Sequence, residues 1–244
     1  MLMSGNIQYM NLRRYKNVVV LTGAGVSVAS GLRTYRGPGG LWEESGVAPQ
    51  ATARAMRDDP WSVWEFFIPL MERMSKADPN PAHRALAELE RHGFESFTLV
   101  TQNVDGLHQQ AGSKNLLEYH GSLLRRRCSR PACRLHPYQD FSIPSSLPHC
   151  ELCGSPLRPD IVLFGEQIPA LAGHQAKRAL RTVDLFLAIG TSGTVAPACN
   201  FVRSADYAGA RTVEFNLHSS GLFHKTIEGP VEETLPEFLS RGIE

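Results

Sequence analysis

The 244-residue sequence predicts an α/β fold, in which helices cover both faces of a parallel sheet and a small metal-binding domain is attached. Three observations predict this fold. A buried strand at residues 18–21 runs into the glycine pair Gly23 and Gly25, apolar strand segments then alternate with amphipathic helical segments, and four cysteines lie within 26 residues. Alternating strands and helices are typical of parallel sheets, because each parallel connection needs a crossover that is usually a helix.

The composition argues against several classes of partner. Positive and negative charges nearly balance, with a net charge of +1, so no basic excess indicates nucleic acid. No apolar run approaches the roughly 18 residues that a membrane-spanning helix needs. The first residues contain neither the apolar core nor the cleavage site of a secretory signal. We therefore expect a cytoplasmic monomer with no nucleic-acid partner and no membrane partner.

The apolar patterning predicts the elements in chain order. The predicted strands span residues 18–21, 96–103, 160–166, 183–193 and 210–216. The predicted helices begin near Ser27 and then cover residues 61–74, 82–91, 170–181 and 230–242. Pro69 is expected to kink or divide the helix at 61–74, because proline removes a backbone donor and clashes with the preceding turn.

Three of the predicted strands end in turns of small or polar residues. These turns are TGAG at residues 22–25, TQNVDG at residues 101–106 and GTSG at residues 190–193. In an open parallel sheet, ligands bind outside the carboxyl ends of the strands. We therefore expect the three turns to meet around one ligand.

The first turn is typical of a Rossmann-like dinucleotide site. A buried strand, a glycine turn and a helix N-terminus together aim backbone N–H groups at a phosphate. The oxidoreductase fingerprint G-x-G-x-x-G, however, needs a third glycine where this chain has Val28. The acidic residue of that fingerprint is not evident either, because Glu43 and Glu44 follow a glycine-rich loop. The pattern therefore favours a dinucleotide that serves a purpose other than hydride transfer.

The cysteine pairs are the most specific local signal. Cys128 and Cys133 form one pair, and Cys150 and Cys153 form a C-x-x-C pair. Two such pairs joined by a loop predict a zinc ribbon with four thiolate ligands, and redox-active thiols are the alternative. Four thiolates leave no open coordination position, so the single zinc ion is expected to be structural. We expect one domain over residues 1–244, with residues 124–158 inserted as a zinc-binding module, and Cys199 as a buried small residue outside it.

The second turn and a nearby histidine predict catalytic chemistry. Gln102, Asn103 and Asp105 follow a predicted strand, where their side chains can hydrogen-bond a sugar or a carboxamide. His120 lies a short way along the chain, in EYHG, and is a candidate general base. A histidine with a purely structural role is the alternative on these residues alone.

Seven blocks of the chain, in order, resemble the sirtuin family of NAD-dependent protein lysine deacylases. They are GAGVS, GLRTYRG, TQNVDGLH, YHG, the paired cysteines, RPDIVLFGE and GTSGTVAP, and the resemblance extends over residues 18–239. It implies that NAD is consumed as a co-substrate: the amide oxygen of an acyl-lysine in a substrate protein attacks the ribose as nicotinamide leaves. The products would be nicotinamide, O-acyl-ADP-ribose and free lysine.

The resemblance also implies residue roles at the matching positions. The implied NAD-binding residues are Gly23, Ala24, Gly25, Ser27, Tyr35, Arg36, Trp42, Gln102, Asn103, Val104, Asp105, Gly190, Thr191, Ser192, Asn216 and Val231. His120 would act as general base, and Asn103 would hold a water near the anomeric carbon. Val162, Phe164 and Gly165 would belong to a strand that pairs with the substrate peptide and lines the acyl-lysine tunnel.

The implied acyl pocket departs from one sirtuin subgroup. The chain resembles the bacterial, class III type, whose members bind succinyl or malonyl groups through a Tyr-x-x-Arg motif, but Phe67 and Leu70 occupy those positions. A buried carboxylate without an arginine is costly, so we expect weak activity on acidic acyl groups. Ala51 matches a small residue that keeps the pocket wide. Two interpretations stay open: an enzyme for longer neutral acyl groups, or a deacetylase whose pocket Phe67 and Leu70 fill.

Two other functions remain as alternatives. Protein mono-ADP-ribosyltransfer shares the first chemical step, and the presence of His120 and the FGE segment favours deacylation over it. A non-catalytic NAD-sensing or zinc-ribbon module predicts loss of Asn103 or His120, and both are present.

Overall fold

The computed structural model describes residues 10–34, 48–193 and 195–243. The strands of this part of the chain are β1 (Asn17–Thr22), β2 (Ser96–Thr101), β3 (Leu116–Glu118), β4 (Gly121–Cys128), β5 (Tyr138–Gln139), β6 (Leu157–Ile161), β7 (Leu185–Ile189), β8 (Arg211–Asn216) and β9 (Lys225–Glu228). Its α-helices are α1 (Ala53–Asp58), α2 (Pro60–Met74), α3 (Pro81–Leu89), α4 (Leu107–Ala111), α5 (Ala170–Arg181), α6 (Phe201–Tyr207) and α7 (Val231–Ile243). Short 3-10 helices cover Leu12–Arg14, Ala24–Ser30, Pro49–Ala51, Glu90–His92 and Ala198–Asn200.

Six strands form one parallel sheet in the order β3-β2-β1-β7-β8-β9. Successive side chains of β1 point to opposite faces, and each face is buried under helices. Val18 and Val20 pack with α3 and α7, whereas Val19 and Leu21 pack with α5 and α6. Burial on both faces explains why these strands read as continuous apolar runs. The predicted fold class is confirmed.

Three strands form a second sheet, which is antiparallel and has the order β5-β4-β6. The four paired cysteines lie at one end of this sheet, beyond the pairing of Cys128 with Leu157. A third core cluster, which includes Trp64 and Phe67 of α2, Leu123 of β4 and Leu163, packs α2 against the sheet. The second sheet therefore rests on α2 as well as on its own strands.

Several predicted elements are confirmed and others are corrected. Helix α5 has the predicted bounds, and α2 runs through Pro69 as one helix of 15 residues because its buried face continues to Met71 and Met74. The predicted strand at 160–166 is wrong: β6 ends at Ile161. The chain turns there because the Glu166 N–H donates to the Leu163 carbonyl at 3.0 Å.

The helix predicted to begin near Ser27 instead begins at Ala24, and residues Ala24–Ser30 form a 3-10 helix. The sequence analysis did not predict β3, β4, β9, α1, α4 or α6. The described part of the chain contains no helix that is both long and apolar enough to cross a bilayer.

The turn after β1 packs directly against the turn after β7. The Gly23 N–H donates to the Ile189 carbonyl at 3.0 Å, and the Gly25 N–H donates to the Gly190 carbonyl at 2.8 Å. A Cβ atom on Gly25 would lie 2.7 Å from the Gly190 backbone, closer than such atoms approach. Val28, where the oxidoreductase fingerprint has its third glycine, is 50% exposed, so no close packing demands a glycine there.

We predict that Gly25→Ala lowers the free energy of unfolding by about 1–3 kcal/mol, because its Cβ forces the two turns apart. Urea denaturation measures the change. Gly173→Ala is the matched control: Gly173 lies in α5 with nothing near its Cβ position, so alanine should stabilise the protein by up to about 1 kcal/mol. Equal stability of Gly25→Ala and the wild type would contradict the packing argument.

Candidate functional site

A cleft of about 520 Å³ lies at the carboxyl ends of β1, β2 and β7. Residues of all three turns line it, as expected from the sequence. The sequence-predicted residues in its lining are Gly23, Ala24, Gly25, Ala51, Phe67, Gln102, Asn103, Val104, His120, Val162, Phe164, Gly165, Gly190, Thr191 and Ser192. The structure therefore brings most of the predicted NAD site and substrate site together in one cavity.

The remaining predicted residues lie elsewhere. A small pocket of about 20 Å³ adjoins the cleft, and Ser27, Leu70 and Asp105 line it together with Ala24, Asn103 and Val104, which also line the cleft. Asn216 contacts the third turn, where its Nδ2 donates to the Thr191 carbonyl at 3.0 Å, and Val231 is buried at the start of α7. Tyr35, Arg36 and Trp42 lie outside the described residues.

Hydrogen bonding determines which nitrogen of His120 carries its hydrogen. The His120 Nδ1 lies 3.0 Å from the Gln102 carbonyl oxygen. A carbonyl oxygen can only accept, so Nδ1 is protonated and donates, and Nε2 of the neutral ring keeps its lone pair. Burial lowers the pKa of His120 below its ordinary value, against the opposing effect of the Gln102 hydrogen bond. His120 is therefore a neutral base at pH 7.

The second turn is held by a buried polar network. The Asn103 Nδ2 donates to the Gly23 carbonyl and to Ser27 Oγ, each at 3.2 Å. The Ser27 hydroxyl donates to Asp105 Oδ2 at 2.7 Å, and the Leu107 N–H donates to Asp105 Oδ1 at 3.0 Å. Burial raises the pKa of Asp105, and these hydrogen bonds oppose the rise. The network fixes Asn103 and Asp105 where the two pockets meet.

The sequence analysis missed two buried histidines behind this network. His83 Nδ1 accepts from the Asn80 N–H at 3.4 Å, and its Nε2 faces Ser27 Oγ at the same distance. His108 Nε2 lies 3.0 Å from Thr22 Oγ1, and the two imidazole rings are 4.8 Å apart. Burial lowers the pKa of His83 to about 4 and that of His108 well below its ordinary value. A signal for His83 was its position three residues after the helix cap Asn80.

The four paired cysteines converge as predicted. Their sulfur atoms all lie within 4.8 Å of one another, with 3.5 Å between Cys128 and Cys153 and 3.6 Å between Cys133 and Cys150. Tetrahedral zinc with Zn–S bonds of about 2.3 Å places its sulfurs about 3.8 Å apart, so the four thiols fit this ion. All four are free rather than disulfide-bonded, and Cys199 is not part of the cluster.

Comparisons with known proteins agree with this geometry. A model of the Sir2 family matches residues 23–197. An NAD-dependent protein deacylase of Thermococcus kodakarensis is 40% identical over 238 residues, which cover 94% of this chain and 92% of the relative. The chain belongs to the Sir2 family.

Further relatives of this sirtuin include an NAD-dependent protein deacylase of Thermus thermophilus, 46% identical over 84% of this chain and 81% of the relative. A crystal structure of a Sir2 homologue in complex with NAD superposes with a TM-score of 0.87 at 37% identity, covering 95% of this chain and 91% of the other. The family assignment made from the seven sequence blocks is confirmed.

We predict that the purified sirtuin contains about one zinc ion per chain and that Cys150→Ser loses it, because a tetrahedral site with three thiolates binds zinc far more weakly. Native mass spectrometry measures the metal content. Cys199→Ser, outside the cluster, should retain the ion. Retention of zinc by Cys150→Ser would contradict the assigned ligand set.

We also predict that the sirtuin loses stability as the pH falls from about 6.5 to about 4. The unfolded chain protonates its histidines near 6.5, whereas folded His83 stays neutral until about 4, so the unfolded state binds more protons in this window. His83→Gln should reduce the slope of unfolding free energy against pH by up to about 1.4 kcal/mol per pH unit. Urea unfolding at several pH values measures the slope, and the exposed His92→Gln is the control. Parallel curves for His83→Gln and the wild type would contradict the prediction.

Proposed function

We propose that this chain is an NAD-dependent protein lysine deacylase, which converts an acyl-lysine, NAD and water to free lysine, nicotinamide and O-acyl-ADP-ribose. The observation that carries the proposal is the position of His120, a neutral base with a free Nε2 lone pair, in the same cleft as the three strand-end turns and the segment 162–165. The solved Sir2 homologue bound to NAD and the deacylase relatives support it.

NAD, when bound, supplies a ribose carbon from which nicotinamide can leave. The turns at 22–25, 101–106 and 190–193 bind it, because residues of all three turns line the cleft. Gln102 is held for this task, since its Nε2 donates to Thr191 Oγ1 at 3.0 Å. Asp105 and Val104 line the small pocket, where the Asp105 carboxyl oxygens can accept from the carboxamide N–H groups of nicotinamide. Tyr35, Arg36 and Trp42 complete the proposed NAD site, as do Asn216 and Val231.

His120 is the proposed general base. Its Nδ1 hydrogen bond to the Gln102 carbonyl orients the ring, so Nε2 accepts a proton from a ribose hydroxyl. The low pKa keeps the ring ready to accept at neutral pH. A base placed to activate a ribose hydroxyl favours deacylation over ADP-ribosyl transfer to a protein side chain, which does not need that step.

The acyl-lysine protein substrate is proposed to bind along residues 162–166, which we call the substrate loop. The Val162 N–H donates to the His120 carbonyl at 2.9 Å, and the Phe164 N–H donates to the Ala51 carbonyl at 2.9 Å. These bonds place Phe164 and Gly165 in the cleft lining, and Gly165 has a positive φ of 84° that favours glycine. A peptide strand laid beside this loop reaches His120 with its acyl-lysine.

The cleft favours neutral acyl groups. Ala51 is small and Phe67 is apolar, and none of the described cleft-lining residues is Lys or Arg, whereas Glu166 is acidic. Leu70 lines the small pocket rather than the cleft, next to the exposed Arg33. An acyl carboxylate would find no cationic partner among these described lining residues, at a cost in binding free energy.

Residues 124–158 are proposed to form an inserted zinc-binding module with a structural role. Its own buried core comprises only Cys128, Cys150 and Leu157 among the described residues. So small a core needs the free energy of metal binding to keep its shape. We also propose that the protein works as a cytoplasmic monomer.

The experiment that tests the function incubates the protein with NAD and lysine peptides carrying acetyl, butyryl, long fatty acyl or succinyl groups. Mass spectrometry follows free lysine and O-acyl-ADP-ribose. We predict that neutral acyl groups are removed, that succinyl is removed at least about tenfold more slowly, and that His120→Ala lowers the rate by about 100-fold or more. His92→Ala, an exposed histidine, is the control.

The double variant Phe67→Tyr with Leu70→Arg supplies the motif that the subgroup uses, and should raise succinyl removal relative to acetyl removal. Faster removal of succinyl than of acetyl by the wild type would contradict the pocket argument. ADP-ribose attached to protein, with no acyl group removed, would contradict the deacylase proposal itself.

A further inference from the structure

Arg158 lies outside the cleft and bonds to residues at both ends of the substrate loop. Arg158 lies on β6 and is only 5% exposed. Its Nη1 lies 2.5 Å from Glu166 Oε1 and its Nη2 lies 2.9 Å from Glu166 Oε2, so the pair is bidentate. Nη2 also donates to the Ile161 carbonyl at 3.0 Å. One guanidinium therefore joins the two ends of the loop.

Glu166, which is paired with Arg158, also forms two hydrogen bonds to Leu163 inside the loop. Its Oε2 accepts from the Leu163 N–H at 2.9 Å, while its own N–H donates to the Leu163 carbonyl at 3.0 Å. Burial alone would raise the pKa of Glu166, but the hydrogen bonds and charge of Arg158 bring it below its ordinary value. The carboxylate is thus ionised and depends on Arg158 for its partner. Without that partner, a half-buried charge would move toward solvent and take the turn at Leu163 with it.

At its cleft side the loop is attached through backbone hydrogen bonds, from Val162 to His120 and between Phe164 and residues 51–53, and the Leu163 side chain packs into the core cluster of α2. Behind it, β6 is fixed to α2, because the Trp64 Nε1–H donates to the Leu157 carbonyl at 3.0 Å. Leu157 in turn pairs with Cys128 of the cysteine cluster. Arg158 therefore connects the metal-bearing sheet to the lining of the cleft.

We propose that Arg158 is a positioning residue for the acyl-lysine substrate, which acts through Glu166 to keep the substrate loop in the shape that lines the cleft. The inference rests on the proposed deacylase function. The described contacts of its guanidinium go to residues 159–166 and not to the three strand-end turns. Its loss should therefore impair use of the acyl peptide while leaving use of NAD largely unchanged.

Arg127 provides a matched control on the same sheet. It pairs across the strands with Arg158 and so lies on the same face, with its Nε 3.4 Å from Asp160 Oδ1. Asp160 keeps a second partner, because Arg125 Nε lies 2.9 Å from its Oδ2. Replacing Arg127 removes the same charge from the same face without leaving a carboxylate unpaired.

The test compares full-length, zinc-loaded wild type with Arg158→Met, Arg158→Lys and Arg127→Met. We expect Arg158→Met to raise the KM for an acetyl-lysine peptide by about tenfold or more, with the KM for NAD within about twofold of wild type. Arg158→Lys should recover part of the loss, since it keeps a charge but not the bidentate geometry. Arg127→Met should leave both KM values within about twofold.

Hydrogen exchange of the segment containing residues 161–166 gives an independent readout, because the Leu163 amide is protected by Glu166. Exchange should be faster in Arg158→Met than in Arg127→Met. If Arg158→Met fails to fold, Glu166→Gln replaces it, with the same expected split between the two KM values.

An unchanged KM for the peptide with unchanged exchange would overturn the inference, as would an equal rise of both KM values. A wild type that removes no acyl group would overturn the proposed function instead, and the exchange comparison would still decide whether Arg158 holds the loop.

Discussion

The close contact between two backbone turns is the constraint on which the cleft depends. Gly23 and Gly25 after β1 lie against Gly190 after β7, with interatomic spaces too small for a side chain. Gly190 combines this with a positive φ of 58°, so its conformation and its surroundings both require glycine. This contact holds the turns at the carboxyl ends of the neighbouring strands β1 and β7 against each other. The second turn, at residues 101–106, joins them through Asn103, whose Nδ2 donates to the Gly23 carbonyl.

Polar groups around that contact are buried, and each one constrains the next. Ser27 accepts from Asn103 and donates to Asp105, while His83 and His108 remain neutral behind them because burial disfavours their charged forms. The hydrogen-bonded members of this network are held rigidly, since breaking any one bond leaves a buried polar atom without a partner. Such a network suits a site that must hold one orientation of a ligand and exclude solvent. His120 follows the same logic: one hydrogen bond to Gln102 determines which nitrogen serves as the base.

The second sheet depends for its stability on contacts other than a large apolar core of its own. The end of the sheet that carries the four cysteines buries too little apolar surface to be stable alone. Metal binding by the four thiols would supply the missing folding free energy. Elsewhere the sheet depends on α2, through the Trp64 indole bonded to Leu157 and the Arg126 guanidinium 5.2 Å from the Trp64 ring centroid. Helix α2 also contributes Phe67 to the cleft. The metal-bearing sheet and the acyl side of the cleft thus share one structural support.

Local patterns in the sequence determined the parallel sheet, the convergence of the three turns and the four zinc ligands. Apolar periodicity, glycine spacing and cysteine spacing are short-range properties that can be read from the sequence. The family was identified from a different signal, the resemblance of seven sequence blocks in order. The same reasoning from local patterns extended a strand to residue 166, because the apolar run in DIVLFGE cannot reveal that Glu166 folds back onto Leu163. It also missed His83, whose role depends on Ser27, a residue distant in the chain.

The tertiary structure alone decided the tautomer of His120, the position of Leu70 in the small pocket and the pairing of Arg158 with Glu166. Each of these depends on burial and on partners brought together by folding. Sequence spacing carries no information about either, because desolvation and hydrogen-bond geometry exist only once the chain has packed.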